Sequence, residues 1–315
     1  MRIVSSAKTI LFIHGRDWKP GKDDLFELWK AALAHGIKRD YPEEKTAALK
    51  NVHQELVYYG DLSNDFLKKR KEPPNFQEDL EDRRTTLEAL KNHGRADFTK
   101  EKYEDLPGRS SFAELLADTI GDVLGHLNLG RSLIYTVAPD MEHYWAEDRE
   151  FGSPVRYKMM EPLKKALDQG EVMVISHSLG SIVAYDTFWK FSRMGEYRDH
   201  YWNKKIDLWI TLGSPLGDEF VKRSLKGARE NGLCRFPGNV KRWVNVYAED
   251  DYISHDGKAA NDFAEMEELM EEPLQDISIY NLAVRLQNGT RKSNPHSSLG
   301  YLIHPEVAKT VADWL

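Results

Sequence analysis

The stretch EVMVISHSLGSIVAYD, Glu171 to Asp186, decides how the rest of the chain is read. Val172, Met173, Val174 and Ile175 are a short apolar run. Ser176 to Gly180 are small residues around His177 and Leu179, and an apolar helical pattern follows from Ile182. A tight corner between strand and helix lifts the hydroxyl of its central residue clear of the sheet, and it needs small residues two before and two after that position. Here these are Ser176 and Gly180 around Ser178, so the pattern is S-x-S-x-G rather than G-x-S-x-G. The residue that follows, Leu179, has its N–H at the start of a helix, where a developing oxyanion is stabilised. Ser178 is therefore the candidate nucleophile; a plain helix-capping serine is the competing reading.

Outward from this corner, similar runs recur: Thr9–Ile13 ending at His14-Gly15, Val52–Tyr59, Ile206–Leu212 before Gly213, Trp243–Tyr247, and Ile277–Val284 ahead of a polar loop. Continuous rather than alternating apolar runs mark strands covered on both faces, as in a parallel sheet. Helical patterns lie between them. Asp24–His35 carries Leu25, Leu28, Trp29, Ala32 and Leu33. Ser111–Leu127 opens with a Ser111/Glu114 capping box, and Pro305–Leu315 closes the chain. The alternation predicts a doubly wound, mostly parallel α/β sheet flanked by helices, as a single domain over 1–315. Residues 62–154 stand apart as a charged, helical, cap-like insertion. The part from Leu62 to Gly108 looks poor in core residues, and the part from Arg131 to Pro154 mixes Tyr135, Met141, Tyr144, Trp145 and Phe151 with charges. That mix suits a flap over a cleft or a packed connector.

Composition narrows the function classes. The 315 residues carry a net charge of −7 and no long basic run, which argues against a nucleic-acid footprint. Lys68 to Lys71 reads as a solvated face. The single cysteine, Cys234, excludes an internal disulfide or a CxxC site and is expected to be buried. No apolar run reaches the length of a membrane span, so a reduced, cytoplasmic protein is expected.

A serine nucleophile needs a base, and the base an orienting acid. At such an elbow both follow later in the chain, each in a loop after a strand, acid first. Glu249, Asp250 and Asp251 follow the fifth run, in VNVYAEDDYIS. Of the eleven histidines, His296 in SNPHSSLGYL has the right position. His304 before Pro305 reads as a helix-entry residue, and His255 lies too near the acids. His177 reads as a structural histidine, and Ser214, followed by Pro215, as a turn residue. A second oxyanion donor is expected after the first strand, at the backbone N–H of Arg16, with Asp17 beside it. Trp18, Tyr144 and Trp145 are candidates for the pocket wall.

Together FIHG, SHSLGS, the acids after VNVY and PHS before a final helix resemble the α/β-hydrolase superfamily. ISHSLGSIVAYD and LGSPLG are similar to segments of DDHD-type phospholipases and related lipase-like hydrolases. Asp251-Tyr252-Ile253 is similar to the Asp-Pro-Val found after this strand in that superfamily, which favours Asp251 as the acid and keeps Asp250 as the alternative. The resemblance covers the sheet core, not 62–154. It implies hydrolysis of a small-molecule or lipid carboxylic ester through Ser178, Asp251 and His296, with Leu179 and Arg16 as amide donors and no metal or organic cofactor. An acyltransferase or thioesterase on the same triad, or a non-catalytic hydrolase-fold binding protein, are the alternatives.

Overall fold

The computed structural model describes residues 7–69, 73–109, 144–145, 151–254, 258–287 and 289–315. The six apolar runs form strands β1 (Ala7–Ile13), β2 (His53–Val57), β3 (Gly170–His177), β4 (Leu208–Leu212), β5 (Trp243–Ala248) and β6 (Gln275–Ile279). All pair in parallel, in the order β2-β1-β3-β4-β5-β6. Parallel neighbours need crossover segments, and helices cover both faces. On one face lie α1 (Lys22–Asp40), α2 (Glu43–Asn51), α4 (Phe76–Lys91), α8 (Ser298–Leu302) and α9 (Pro305–Trp314). The other carries α6 (Gly152–Gln169) and α7 (Leu179–Arg193). Strand residues alternate between two cores: Ile10, Phe12, Met173 and Ile175 face α1 and α9, while Leu11, Ile13, Val172 and Val174 face α6 and α7. The direction of strand progression reverses between β1 and β3. In such sheets the crevice outside the carboxyl ends of the strands at that reversal is where ligands bind.

Several expectations need correction. Helix α1 runs beyond His35, because Gly36 has no Cβ and the Ile303 carbonyl packs where one would lie, 2.9 Å away. Strand β6 stops at Ile279 instead of continuing to Val284. The Asn281 side chain turns the chain there, donating to the Pro295 and Ser297 carbonyls. The polar loop that follows contains an antiparallel hairpin, β7 (Val284–Gln287) with β8 (Thr290–Ser293). The segment from 62 to 108 is not poor in core residues. Helices α3 (Gly60–Lys68), α4 and α5 (Lys100–Glu104) bury Leu67, Leu80, Leu87, Leu90 and Tyr103, each helix on its own apolar face, and leave most of their charges outside. Cys234 is exposed, because it sits in the surface turn Gly232–Arg235, held by the Trp189 indole on its carbonyl. The expected helix 111–127, Tyr135, Met141 and His255 lie outside the described residues. Tyr144 and Phe151 join the core under α6 and α7. Among the described residues, no helix is long and apolar enough to cross a membrane.

Candidate active site

Ser178 links β3 to α7 with φ 55° and ψ −129°, a conformation that costs a non-glycine residue on the order of 1–3 kcal/mol. The surrounding chain enforces it. The Ser178 N–H donates to the Leu212 carbonyl at 3.0 Å, and a Cβ at Gly180 would lie 2.6 Å from the Ile13 carbonyl. Gly15, at the end of β1, approaches from the other side; a Cβ there would lie 2.6 Å from the Ser178 Cβ. Ser176 explains the departure from glycine two positions earlier. Its hydroxyl accepts the Trp209 indole N–H at 2.9 Å and pairs with the Ser181 hydroxyl at 3.1 Å. It is a buried polar junction as well as a small residue.

Asp251 and His296 come together from two loops. His296 Nδ1 donates to Asp251 Oδ2 at 2.8 Å. The carboxylate is fully buried behind the imidazole and is further satisfied by the Tyr301 hydroxyl at 2.7 Å and the Ile253 N–H at 3.0 Å. Burial opposes the charged form, but the His296 charge and these hydrogen bonds prevail and hold the Asp251 carboxyl below its ordinary range. Gly213, at φ 53°, lets β4 close against the pair: a Cβ would lie 2.7 Å from Asp251 Oδ2 and 3.1 Å from His296 Nδ1. The neighbouring acids point elsewhere. Asp250, at φ 58°, accepts the Tyr103 hydroxyl at 3.0 Å, and Glu249 accepts the Ser278 hydroxyl at 3.3 Å. Asp251 is thus the acid that meets the histidine.

Ser178 and His296 line one cavity of about 480 Å³ at the carboxyl ends of β1 and β3, together with Gly15, Arg16 and Asp17. His14, fully buried behind that loop, has its basicity lowered to a pKa of about 3 by burial and then by the Lys19 charge. Neutral, it donates from Nδ1 to the Gly15 carbonyl at 2.7 Å and accepts the Tyr59 N–H on Nε2 at 3.1 Å. In a trans peptide the N–H opposes the carbonyl, so His14 turns the Arg16 N–H away from itself. The Leu179 N–H, first in α7, has no acceptor within its helix. Lys19 donates to the carbonyls of Arg16, Asp17 (3.3 Å) and Trp18 (3.5 Å), which ties the loop into one unit. Burial, then the Arg83 charge, brings its pKa down to about 7.

The remaining expectations divide cleanly. His177 donates from Nε2 to the His296 carbonyl at 3.0 Å with its ring 4.6 Å from the His296 ring, and burial, then the His296 charge, keeps it neutral. It is structural, yet it holds His296 in place. His304 caps α9, accepting the Glu306 N–H at 3.2 Å, and Ser214 accepts the Leu216 N–H within a turn. Trp18, Tyr144 and Trp145 are not among the described lining residues; Tyr103, Tyr252 and Trp29 are. Sequence reasoning missed Tyr301, His14 and the hairpin, whose Arg285, Gln287 and Lys292 form one wall. The Asn288-Gly289 dipeptide, a hairpin-turn signature, was the available signal for the last. Among the described residues, no three His, Cys, Asp or Glu side chains converge as a metal site. Comparison of the chain with protein-family models, curated proteins and solved structures finds no match.

Proposed function

We propose that this chain is a serine hydrolase that cleaves carboxylic esters through an acyl-enzyme on Ser178, built on an α/β-hydrolase arrangement. The observation that carries the reading is a strained serine after β3 that shares its cleft with a histidine whose Nδ1 is bonded to a buried carboxylate. A helix-capping serine needs neither the strain nor the pair, and the Ser178 side chain caps nothing in α7.

His296, with Nδ1–H committed to Asp251, has Nε2 left to accept the Ser178 proton as Oγ attacks the ester carbonyl. The carbonyl electrons move to oxygen, and the Arg16 and Leu179 N–H groups bind that oxyanion. Collapse expels the alkoxide, which takes the proton from His296 and leaves as alcohol. Water then gives a proton to His296 and attacks the acyl-serine, and the acid departs as Ser178 regains its proton. Asp251 stays ionised throughout and stabilises the imidazolium.

The test is fluorophosphonate labelling together with turnover of p-nitrophenyl esters. Wild type is expected to label on Ser178 and turn over. Ser178→Ala is expected to lose labelling and about 10⁴–10⁶-fold in kcat. Turnover that survives in Ser178→Ala places the nucleophile elsewhere, and a wild type that neither labels nor turns over removes the reading.

A further inference from the structure

Attack by Ser178 requires a carbonyl held against two amides; it does not require the cations that surround the cleft. Five basic side chains line it: Arg16, Lys19, Arg83, Arg285 and Lys292. Lys19 is spent on loop carbonyls in the same loop as Arg16, and Asp79 holds Arg83 at two points, 2.8 and 3.2 Å. Arg285 and Lys292 differ. They are direct partners across the β7–β8 hairpin, so both project from one face of it. Like charges directly opposed across an antiparallel pair repel. Among the described residues, neither meets a carboxylate within 4.0 Å.

Three carboxylates of the cleft are directed elsewhere: Asp79 faces Arg83, Asp82 accepts the Leu286 N–H at 3.0 and 3.1 Å, and Asp250 accepts the Tyr103 hydroxyl. The hairpin is also braced in place. The Thr86 hydroxyl donates to the Val284 carbonyl at 2.7 Å and the Ser293 N–H to the Pro107 carbonyl at 2.8 Å. Gly108, at φ 57°, leaves room for the Lys292 stem, whose Cγ lies 2.7 Å from where a Cβ would stand. Two cations therefore stand as cross-strand neighbours on one wall of the cavity that Ser178 also lines. The charge of Arg285 reaches Tyr252, as does that of Arg16, and the Tyr252 ring stands 6.4 Å from the His296 ring.

We infer that Arg285 and Lys292 form a subsite for an anionic group, a carboxylate or a phosphonate or phosphate, carried by the ester that Ser178 attacks. The substrate part of this inference rests on the hydrolase reading above. Among the described residues that line the cavity, Leu25, Trp29, Ile253 and Leu299 are the large aliphatic and indole side chains, and most of the others are polar or charged. The substrate class is a short, water-soluble, negatively charged ester. A planar guanidinium beside an ammonium suits an oxyanion, with one fork and one point charge.

Two measurements on the intact protein test it. The first compares kcat/KM for p-nitrophenyl butyrate, mono-p-nitrophenyl succinate and p-nitrophenyl 3-phosphonopropionate, in wild type and in the Arg285→Gln/Lys292→Gln double variant. At least one anionic ester is expected to be preferred by about tenfold or more in wild type, and that preference is expected to fall to near unity in the double variant while butyrate changes less than about twofold. The ester preferred distinguishes carboxylate from phosphonate. Added salt should raise KM for that ester alone, and Arg285→Lys, which keeps the charge, should retain most of the preference. No anionic preference in wild type, or equal loss of neutral and anionic esters in the double variant with Arg285→Lys no better, overturns the inference. The second measurement is calorimetric binding of succinate and methylphosphonate, which needs no turnover. Binding that weakens about tenfold in the double variant, with no ester cleaved, keeps the subsite and removes the hydrolase reading. Ester cleavage with neither anion binding nor anion preference does the reverse, and absence of both removes both.

Discussion

At the scale of single residues, the site depends on positions where two demands meet. Ser176 must be small for the elbow, and its hydroxyl must satisfy the Trp209 indole. Ser176→Gly would restore the commoner elbow residue yet leave a buried N–H without its acceptor. It is expected to lower stability by about 1–3 kcal/mol, read from denaturant unfolding, with kcat nearly kept. Asp250 and Asp251 are adjacent and chemically alike, and their partners separate them: Tyr103 for one, His296 and Tyr301 for the other. Asp251→Asn is expected to reduce kcat about 10³–10⁴-fold, because an amide cannot hold the imidazolium. Asp250→Asn is expected to keep kcat within about threefold; equal losses in the two variants would sink the assignment of the acid. No spacing rule chooses between neighbouring aspartates at a strand end. The choice is made by a turn with Asp250 at φ 58°, which points successive side chains in different directions.

At the scale of elements, the cleft is the meeting of the carboxyl ends of β1, β3 and β5 with one hairpin, closed from behind by β4. β1 delivers the Gly15-Arg16 amide, β3 delivers Ser178, and β4, through Gly213, lets the acid–histidine pair approach. The contact between the first two is so close that Gly15→Ala would drive a methyl into the Ser178 side chain. This variant is expected to fold with a melting temperature within a few degrees of wild type while kcat falls about 10²-fold or more, as reacting groups displaced by about 1 Å do. An unchanged kcat would show that the loop yields without disturbing the serine. These strand ends were legible in the sequence because an apolar run that stops at Gly or Ser marks both a buried strand and its exit. The hairpin's strands were not, although Asn288-Gly289 marks its turn, because they carry Arg285, Gln287, Arg291 and Lys292 and bury little; contacts from α4 and the Pro107 carbonyl hold them.

At the scale of the whole molecule, burial of neutral histidines couples stability to pH. His14 and His304 both titrate near 3 in the folded protein, through burial first and then the charges of Lys19 and Arg39 respectively, against about 6.5 in an unfolded chain. Between those values the unfolded chain binds protons that the folded chain refuses, so stability is full above about pH 6.5 and falls as pH drops towards 3. Each histidine contributes up to about 1.4 kcal/mol per pH unit in that window. The Asp251 carboxyl, held low, adds its own loss only in the acid range below the ordinary carboxylate value. His304→Asn keeps an N-capping side chain and removes one titration. It is expected to reduce the stability lost between pH 7 and pH 5 by about 2 kcal/mol in urea unfolding at the two pH values, and an unchanged loss would contradict a buried neutral His304. The sequence by itself determined the parallel sheet, the strand-to-helix corner at Ser178 and the loops that carry Asp251 and His296, because strand burial and turn chemistry are written in local runs of residue type. The tertiary structure alone decided that Asp251 rather than Asp250 meets His296, that Tyr301 and His14 bond to the groups around it, and that Arg285 and Lys292 line the same cavity. Those contacts join residues far apart in the chain, and their partners are selected by packing geometry, which no local pattern encodes.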